Sequence, residues 1–304
     1  MPDALLGPWA FGLAAWGAAP RIGWAMLLLY GLLALASAGV GLSPARQSAL
    51  SLQINAWWRI FPVVSLCLLL YPWGPGLLSL LIAGLAMREL GMHYPGRAQF
   101  FYGACAIVLL LQTLLALYDP DLACGVLLGM LLLQILAFGM YRRASWMLIL
   151  LFLWLCAGLS FLPRLLHITS SAGANLAWFF YLFVLTALND IAQFVCGKCW
   201  GRHKVAARIS PNKTWQGLLG GVLTSMVVSA LLGWYLQLAA VLQLLALGVL
   251  LSLAGFVGDM ALSAAKRSLG IKDFSQLIPG HGGILDRVDS LVLTAPALYW
   301  GLTL

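Results

Sequence analysis

The sequence predicts an all-α fold, a polytopic transmembrane helical bundle of about 9 to 11 spans with a polar site facing the cytoplasm. Three observations carry that expectation. Only 9% of the 304 residues are charged and 62% are hydrophobic, whereas an ordinary soluble domain carries roughly 25% charged residues. The apolar runs are of spanning length, and in hydrocarbon such a run must satisfy its own backbone groups as a helix. Finally, the basic residues fall almost entirely into alternate breaks between the runs.

Eleven candidate spans follow in order: 4–19, 22–42, 58–72, 74–91, 99–117, 121–140, 145–163, 174–196, 217–236, 238–258 and 286–304. The first and third are short enough to lie in the interface. The breaks are brief and contain Gly, Pro or Arg. Residues 1–173 read as a scaffold of lipid-facing spans with chemically sparse loops, and 174–304 as the region that carries chemistry, the two forming one integral membrane unit. No inverted internal repeat of the transporter kind is visible. The start, Met-Pro-Asp, has no basic n-region, so a cleaved signal peptide is not expected.

Orientation comes from charge. With a cytoplasmic N-terminus, Arg46, Arg59, Arg88, Arg97, Arg142, Arg143, Lys198, Arg202, Lys204, Arg208, Lys213, Lys266, Arg267, Lys272 and Arg287 share the cytoplasmic side. Arg21 and Arg164 lie opposite, with Asp119 and Asp121. This is the positive-inside pattern, and it assigns the +8 net charge to the cytoplasmic face. The basic residues sit in short loops without a nucleic-acid motif, so anionic lipid or an anionic small molecule suits them and nucleic acid does not. The six cysteines suggest no disulfide framework. Cys196 and Cys199 form a lone CxxC, without the second pair or nearby histidines that a zinc site needs.

Chemistry concentrates in two polar segments, "NDIAQFVCGKCWGRHKVAARISPNKTWQG" (Asn189–Gly217) and "KRSLGIKDFSQLIPGHGGILDRVDS" (Lys266–Ser290). Two intervening spans return the chain to the same side, so the segments can meet. Asp190 lies inside an apolar span, where an unpaired charge costs a few kcal/mol or more and usually marks function; a structural pair with Lys198 or Arg202 is the plainer alternative. Asp259 follows Gly258 at the cytoplasmic end of a span. Asp286 and Asp289, three apart at the start of the last span, would share one helical face, although helix capping would by itself explain one of them. Carboxylates among lysines and arginines suit a hard cation bound with a polyphosphate, since magnesium is held by one or two carboxylates with phosphate oxygens and water. The Pro279–Gly283 turn, with Gly282 and Gly283, supplies bare backbone amides for phosphate. Lys266, Arg267, Lys272 and Arg287 can neutralise it, and His281 can serve as an acid, a phosphate donor or a loop hydrogen bonder. No Walker A, Rossmann, Ser-His-Asp or HExxH pattern is present.

These residues resemble a known family. Ser263, Lys266 and Arg267, then Lys272 and Asp273, then Pro279, His281, Gly282, Gly283, Asp286, Arg287 and Asp289 match in spacing the C-terminal signature of the phosphatidate cytidylyltransferases, or CDP-diacylglycerol synthases. "SPNKTWQG" (Ser210–Gly217) is similar to that family's second motif, and Asn189-Asp190 with the glycine-basic pairs after it to the segment preceding it. The resemblance covers roughly residues 185–290.

It implies transfer of a cytidylyl group from CTP to phosphatidic acid, with pyrophosphate released, by an integral protein of a bacterial inner membrane. The implied cofactor is Mg2+, with a second cation left open, and the partners are CTP, phosphatidic acid and membrane lipids, with a homodimer left open. It implies metal ligation by Asp259 and Asp286, and catalytic roles for Asp289, Lys266, Arg267 and Lys272. It further implies substrate contacts at Asp190, Ser210, Lys213, Thr214, Ser263, His281, Gly282, Gly283 and Arg287. Gln216 and Phe274 depart from the family, which commonly has Glu and a small polar residue there. A CTP-dependent lipid kinase, a nucleotidyltransferase for another lipid phosphate and, more remotely, an anion transporter are the rival readings.

Overall fold

The computed structural model describes residues 20–41, 49–119, 122, 125, 126, 128–130, 132, 144–169, 171–275, 277 and 282–304, without the side chains of 41, 49–53 and 115–118. The described chain is helical apart from one small hairpin. In order, it forms α1 (Pro20–Gly41), α2 (Ala49–Leu69), α3 (Gly74–Gly91), α4 (Ala98–Tyr118), α5 (Ala144–Leu159) and the short α6 (Phe161–Arg164), which runs into a 3-10 turn. Then come α7 (Ala172–Trp200), strands β1 (Lys204–Ala206) and β2 (Ser210–Thr214), α8 (Trp215–Leu236), α9 (Val241–Ser268), α10 (Leu285–Val288) and α11 (Leu291–Thr303).

Among the described residues, five stretches are long and apolar enough to cross a membrane: Pro20–Val40, Ala144–His167, Ala172–Trp200, Trp215–Leu236 and Val241–Ser268. Ile54–Leu69 and Ala98–Leu114 are shorter apolar helices. The candidate span 121–140 falls largely outside the described residues, and 4–19 lies wholly outside them. Several boundaries differ from the sequence reading; the 174–196 run, for example, continues to Trp200. The 58–72 run belongs to a helix that begins at Ala49. The 238–258 run becomes a 28-residue helix that continues to Ser268. The last run is broken: α10 ends at Val288 and α11 starts at Leu291.

Helix α7 packs on α8, α8 on α9, α9 on α11, and α11 on α5, which carries α3; α1, α2, α3 and α4 follow as neighbours. The shared core is Leu148, Phe152, Leu155, Phe179, Tyr181, Leu182, Leu185, Leu244, Val292 and Leu298, all essentially inaccessible. Around it, Trp24, Leu35, Phe100, Leu223, Leu231, Trp234 and Leu242 are exposed, the distribution a lipid-facing surface requires because acyl chains solvate apolar side chains. Ser171 caps α7 by accepting from Ala174 N, and Thr214 caps α8 by accepting from Gly217 N at 3.1 Å.

The hairpin positions the site. β1 and β2 are antiparallel, pairing Lys204 with Thr214 and Ala206 with Ser210. Because Thr214 is both the end of β2 and the cap of α8, the strand passes directly into the helix. Lys213, one residue earlier, is thereby held over α9.

Candidate active site

Helix α9 supplies the floor. Asp259, Ser263 and Lys266 occur at i, i+4 and i+7, which places them along one helical face. Asp259 Oδ2 forms an ion pair with Lys213 Nζ, and Asp259 Oδ1 accepts from Ser263 Oγ at 3.3 Å. Further along the same face, Lys266 Nζ meets Asp286 Oδ1 at 2.6 Å. Two lysine-carboxylate pairs thus stand in a row, each joining α9 to a different polar segment.

Asp289 and Asp190 complete the first pair's surroundings. Asp289 is buried and accepts from Ser290 N at 2.8 Å, while Ser290 Oγ donates to Asp190 Oδ1 at 3.0 Å. Burial pulls the Lys213 ammonium toward its neutral form, but the negative charge of Asp259, Asp190 and Asp289 prevails and holds its pKa above the usual lysine value. Burial, reinforced by Asp259 and Asp190, lifts the Asp289 carboxyl well above the usual carboxylate range. Three carboxylates therefore surround one lysine, an excess of negative charge that a hard cation would relieve. Among the described residues no three or more His, Cys, Asp or Glu converge on a common metal position. One or two carboxylates suffice for magnesium when phosphate and water complete the shell, so oxygen donors at Asp259 with Asp289, and at Asp286, fit the chemistry.

Asp286 and Asp289 take different partners. Asp286 lies in α10 and turns to Lys266, with Oδ2 accepting from Gly283 N at 2.9 Å and Phe274 N at 3.4 Å. Asp289 follows α10 and lies near Asp190 and Asp259; its backbone and that of Ser290 stay in the helical region, although α10 ends at Val288 and α11 starts at Leu291.

Other expected residues are placed as follows. Arg267 Nε donates to Ile209 O at 3.1 Å and its guanidinium to Ile271 O at 3.3 Å, tying the hairpin to the end of α9. Lys272 and Arg287 are exposed, and Ser210 is half-buried on β2. Thr214 is buried with its hydroxyl engaged as the α8 cap. Gly282 adopts φ +80°, a conformation natural to glycine, beside Asp286. His281 lies outside the described residues. Cys196 and Cys199 are free thiols.

Gln216 accepts from Arg202 N at 3.0 Å and His203 N at 3.1 Å, and its Nε2 lies 2.8 Å from His203 Nδ1. It secures the turn between α7 and β1. A glutamate accepts the same two bonds, so Gln216→Glu is expected to leave stability within about 0.5 kcal/mol, while Gln216→Ala should lower it by about 1 kcal/mol. Thermal unfolding in detergent measures both, and equal midpoints for the alanine variant and the parent would remove this role.

Sequence reading missed two parts of the site. One is a polar chain inside the bundle: Lys213 Nζ donates to Gln193 Oε1 at 3.2 Å, Gln193 Nε2 to Asn189 Oδ1 at 3.1 Å, and Ser225 and Ser252 donate to the same Asn189 oxygen at 3.2 and 2.6 Å. The other is Glu89 of α3, which is 2% exposed and bonded to the segment before Asp286. A lone acidic residue in an apolar run, the criterion that singled out Asp190, applies equally to Glu89.

Known proteins share sequence with this chain. A phosphatidate cytidylyltransferase of Staphylococcus haemolyticus (strain JCSC1435) is 38% identical over 125 residues, 41% of this chain and 48% of that protein. One of Staphylococcus aureus (strain COL) is 39% identical over 125 residues, again 41% and 48%. A protein of Escherichia coli (strain K12), named uncharacterized protein YnbB, is 49% identical over 120 residues, 40% of each chain. The matched segments thus span less than half the length of these relatives. The model of the cytidylyltransferase family itself matches residues 51–304, which takes in Glu89, the hairpin, both lysine-carboxylate pairs and the last helix, and the chain belongs to that family.

Proposed function

We propose that this protein transfers the cytidylyl group of CTP to phosphatidic acid, forming CDP-diacylglycerol and pyrophosphate at the cytoplasmic face of a bacterial inner membrane. The observation that carries the reading is the row of two lysine-carboxylate pairs on α9, Lys213 with Asp259 and Lys266 with Asp286, beside the buried Asp289 and the half-buried Asp190. Such a row offers alternating positive and negative groups to a metal-bound triphosphate.

In the reaction, an oxygen of the lipid phosphate forms a bond to the α-phosphorus of CTP. The bond from that phosphorus to the bridging oxygen breaks, and its electron pair leaves with pyrophosphate. A phosphate monoester has a second pKa near 6 and is largely dianionic at pH 7, so the nucleophile needs no general base. This agrees with a site made of lysines and carboxylates. The main obstacle is repulsion between two polyanions. Lys213 and Lys266, released from their carboxylates, oppose it by pairing with phosphate oxygens, and exposed Lys272 and Arg287 add positive charge at the rim. Ser210, Ser263, Arg267, His281 and the Gly282 backbone are the further substrate contacts proposed, whereas the Gly283 amide is already taken by Asp286. Asp259 and Asp286, with Asp289 adjacent, would hold magnesium, which when bound neutralises phosphate charge and orients the leaving group.

The test is incubation of purified protein with CTP labelled on the α-phosphate, phosphatidic acid and Mg2+, resolving CDP-lipid from CDP. Label in the lipid fraction, with one pyrophosphate per labelled lipid, is expected. Label confined to CDP, accompanied by phosphorylation of an added lipid alcohol, would mark a kinase and overturn the proposal.

A further inference from the structure

Glu89 lies in the last turn of α3, far in sequence from the two polar segments, and is buried. Burying a carboxylate is costly unless its oxygens are satisfied. Here the partners come almost wholly from one distant place. Glu89 Oε1 accepts from Ser275 Oγ at 2.5 Å and from Ile284 N at 2.7 Å, and Oε2 accepts from Leu285 N at 3.1 Å. A Cβ on Gly283 would collide with both carboxylate oxygens, so the bare backbone there is what admits them. Just past α3, His93 Nε2 lies 2.7 Å from Phe274 O.

The turn before α10 is therefore held from two sides. Gly283 N points to Asp286, whereas the next two amides, Ile284 and Leu285, point to Glu89. Asp286 in turn receives Lys266. Capping the four-residue α10 could have been left to a local side chain; a buried acid from α3 ties that turn to a different part of the bundle.

We propose that Glu89 is a positioning residue for cytidylyl transfer: by accepting from Ser275, Ile284 and Leu285 it holds the Gly282–Leu285 turn so that Asp286 is presented to Lys266 and to magnesium. This rests on the function proposed above. The chemistry of the contact makes a selective variant available. All three assigned partners are donors, so both oxygens act as acceptors. Glu89→Gln keeps the shape but replaces one acceptor by an NH2 group facing a donor, which breaks the clamp without opening a cavity.

The experiment compares the full-length protein and Glu89→Gln in lipid nanodiscs by two readouts. Hydrogen exchange, read on peptides covering the 274–288 segment, should show the Ile284 and Leu285 amides exchanging at least about tenfold faster in the variant, with α9 unchanged. The cytidylyl transfer rate should fall about 10- to 100-fold, as loss of support behind a metal ligand does. The Mg2+ concentration for half-maximal rate should rise at least about threefold, while the KM for phosphatidic acid stays within about twofold. Unchanged exchange at 284 and 285 would overturn the clamp, and faster exchange with an unchanged rate and Mg2+ requirement would overturn its positioning role. If the parent itself shows no transfer to phosphatidic acid, the proposed function fails and the exchange readout alone decides the clamp. Ser275→Ala, which removes one donor and leaves Glu89 in place, supplies the same comparison should the glutamine variant fail to insert, with smaller changes of the same sign expected and no change overturning the proposal.

Discussion

Replacing Asp259 by asparagine is expected to lower the rate of cytidylyl transfer by about a hundred- to a thousandfold, roughly 3 to 4 kcal/mol of barrier, with the fold intact. The amide keeps the volume of the carboxyl and can still accept from Ser263, whose hydroxyl lies 3.3 Å from Asp259 Oδ1. What it loses is charge. Asp259 is the direct ionic partner of Lys213 and faces the cluster that contains Asp190 and Asp289. Removing it takes away the proposed metal ligand that joins α9 to the hairpin, and leaves Lys213 to turn toward the remaining carboxylates. Steady-state rates with CTP and phosphatidic acid, together with a thermal unfolding curve, separate the two effects. Activity within about threefold of the parent, under 1 kcal/mol of barrier, would exclude Asp259 from the working site.

The second large effect is expected from Gly258→Ala. Gly258 packs against the junction of α10 and α11 so closely that a Cβ would fall well inside contact distance of the Asp289 carbonyl oxygen, with Ser290 Cα at 3.5 Å. Backbone cannot rotate away as a side-chain tip can, so α9 and the junction must separate. Overpacking of this kind costs about 1 to 3 kcal/mol. Because Asp259 is the next residue and Asp289 is the other side of the contact, the displacement also opens the carboxylate cluster. A misplacement of about 1 Å at a reacting centre can cost on the order of a hundredfold in rate. Gly31→Ala is the control: in α1 nothing lies within 4 Å of the added methyl group, and alanine is the better helix former by about 1 kcal/mol. Stability and rate should therefore both fall for Gly258→Ala and neither for Gly31→Ala. Parent-like activity for Gly258→Ala would show that the cluster does not depend on this approach.

Much of the bundle was legible because spanning length leaves a long apolar run few alternatives. The run 74–91 coincides with α3, 22–42 with α1 to within two residues, and 217–236 is α8 with one more turn's start. The end of α9 was not legible in the same way. Its last turns carry Lys266 and Arg267, so polarity suggested a loop, although Asp259, Ser263 and Lys266 already had helical spacing. The hairpin was missed because strands of three and five residues, with Pro211 and Asn212 in the second, have neither the length nor the alternation of a strand signal. At the site, the residue types and the two polar segments were readable from spacing. The partners were not: the Lys213 to Asp259 pair and the Glu89 bonds join residues that only the packed bundle brings together.

Helix α9 is one uninterrupted rod from Val241 to Ser268, and it serves at once as a membrane-crossing element and as the carrier of Asp259, Ser263 and Lys266. A spanning helix adapts to bilayer thickness by tilting, and a rigid rod transmits that tilt to its end. Acyl-chain length in the surrounding lipid is therefore mechanically connected to the angle at which these side chains meet the hairpin. A site carried this way would respond to the thickness of the membrane around it.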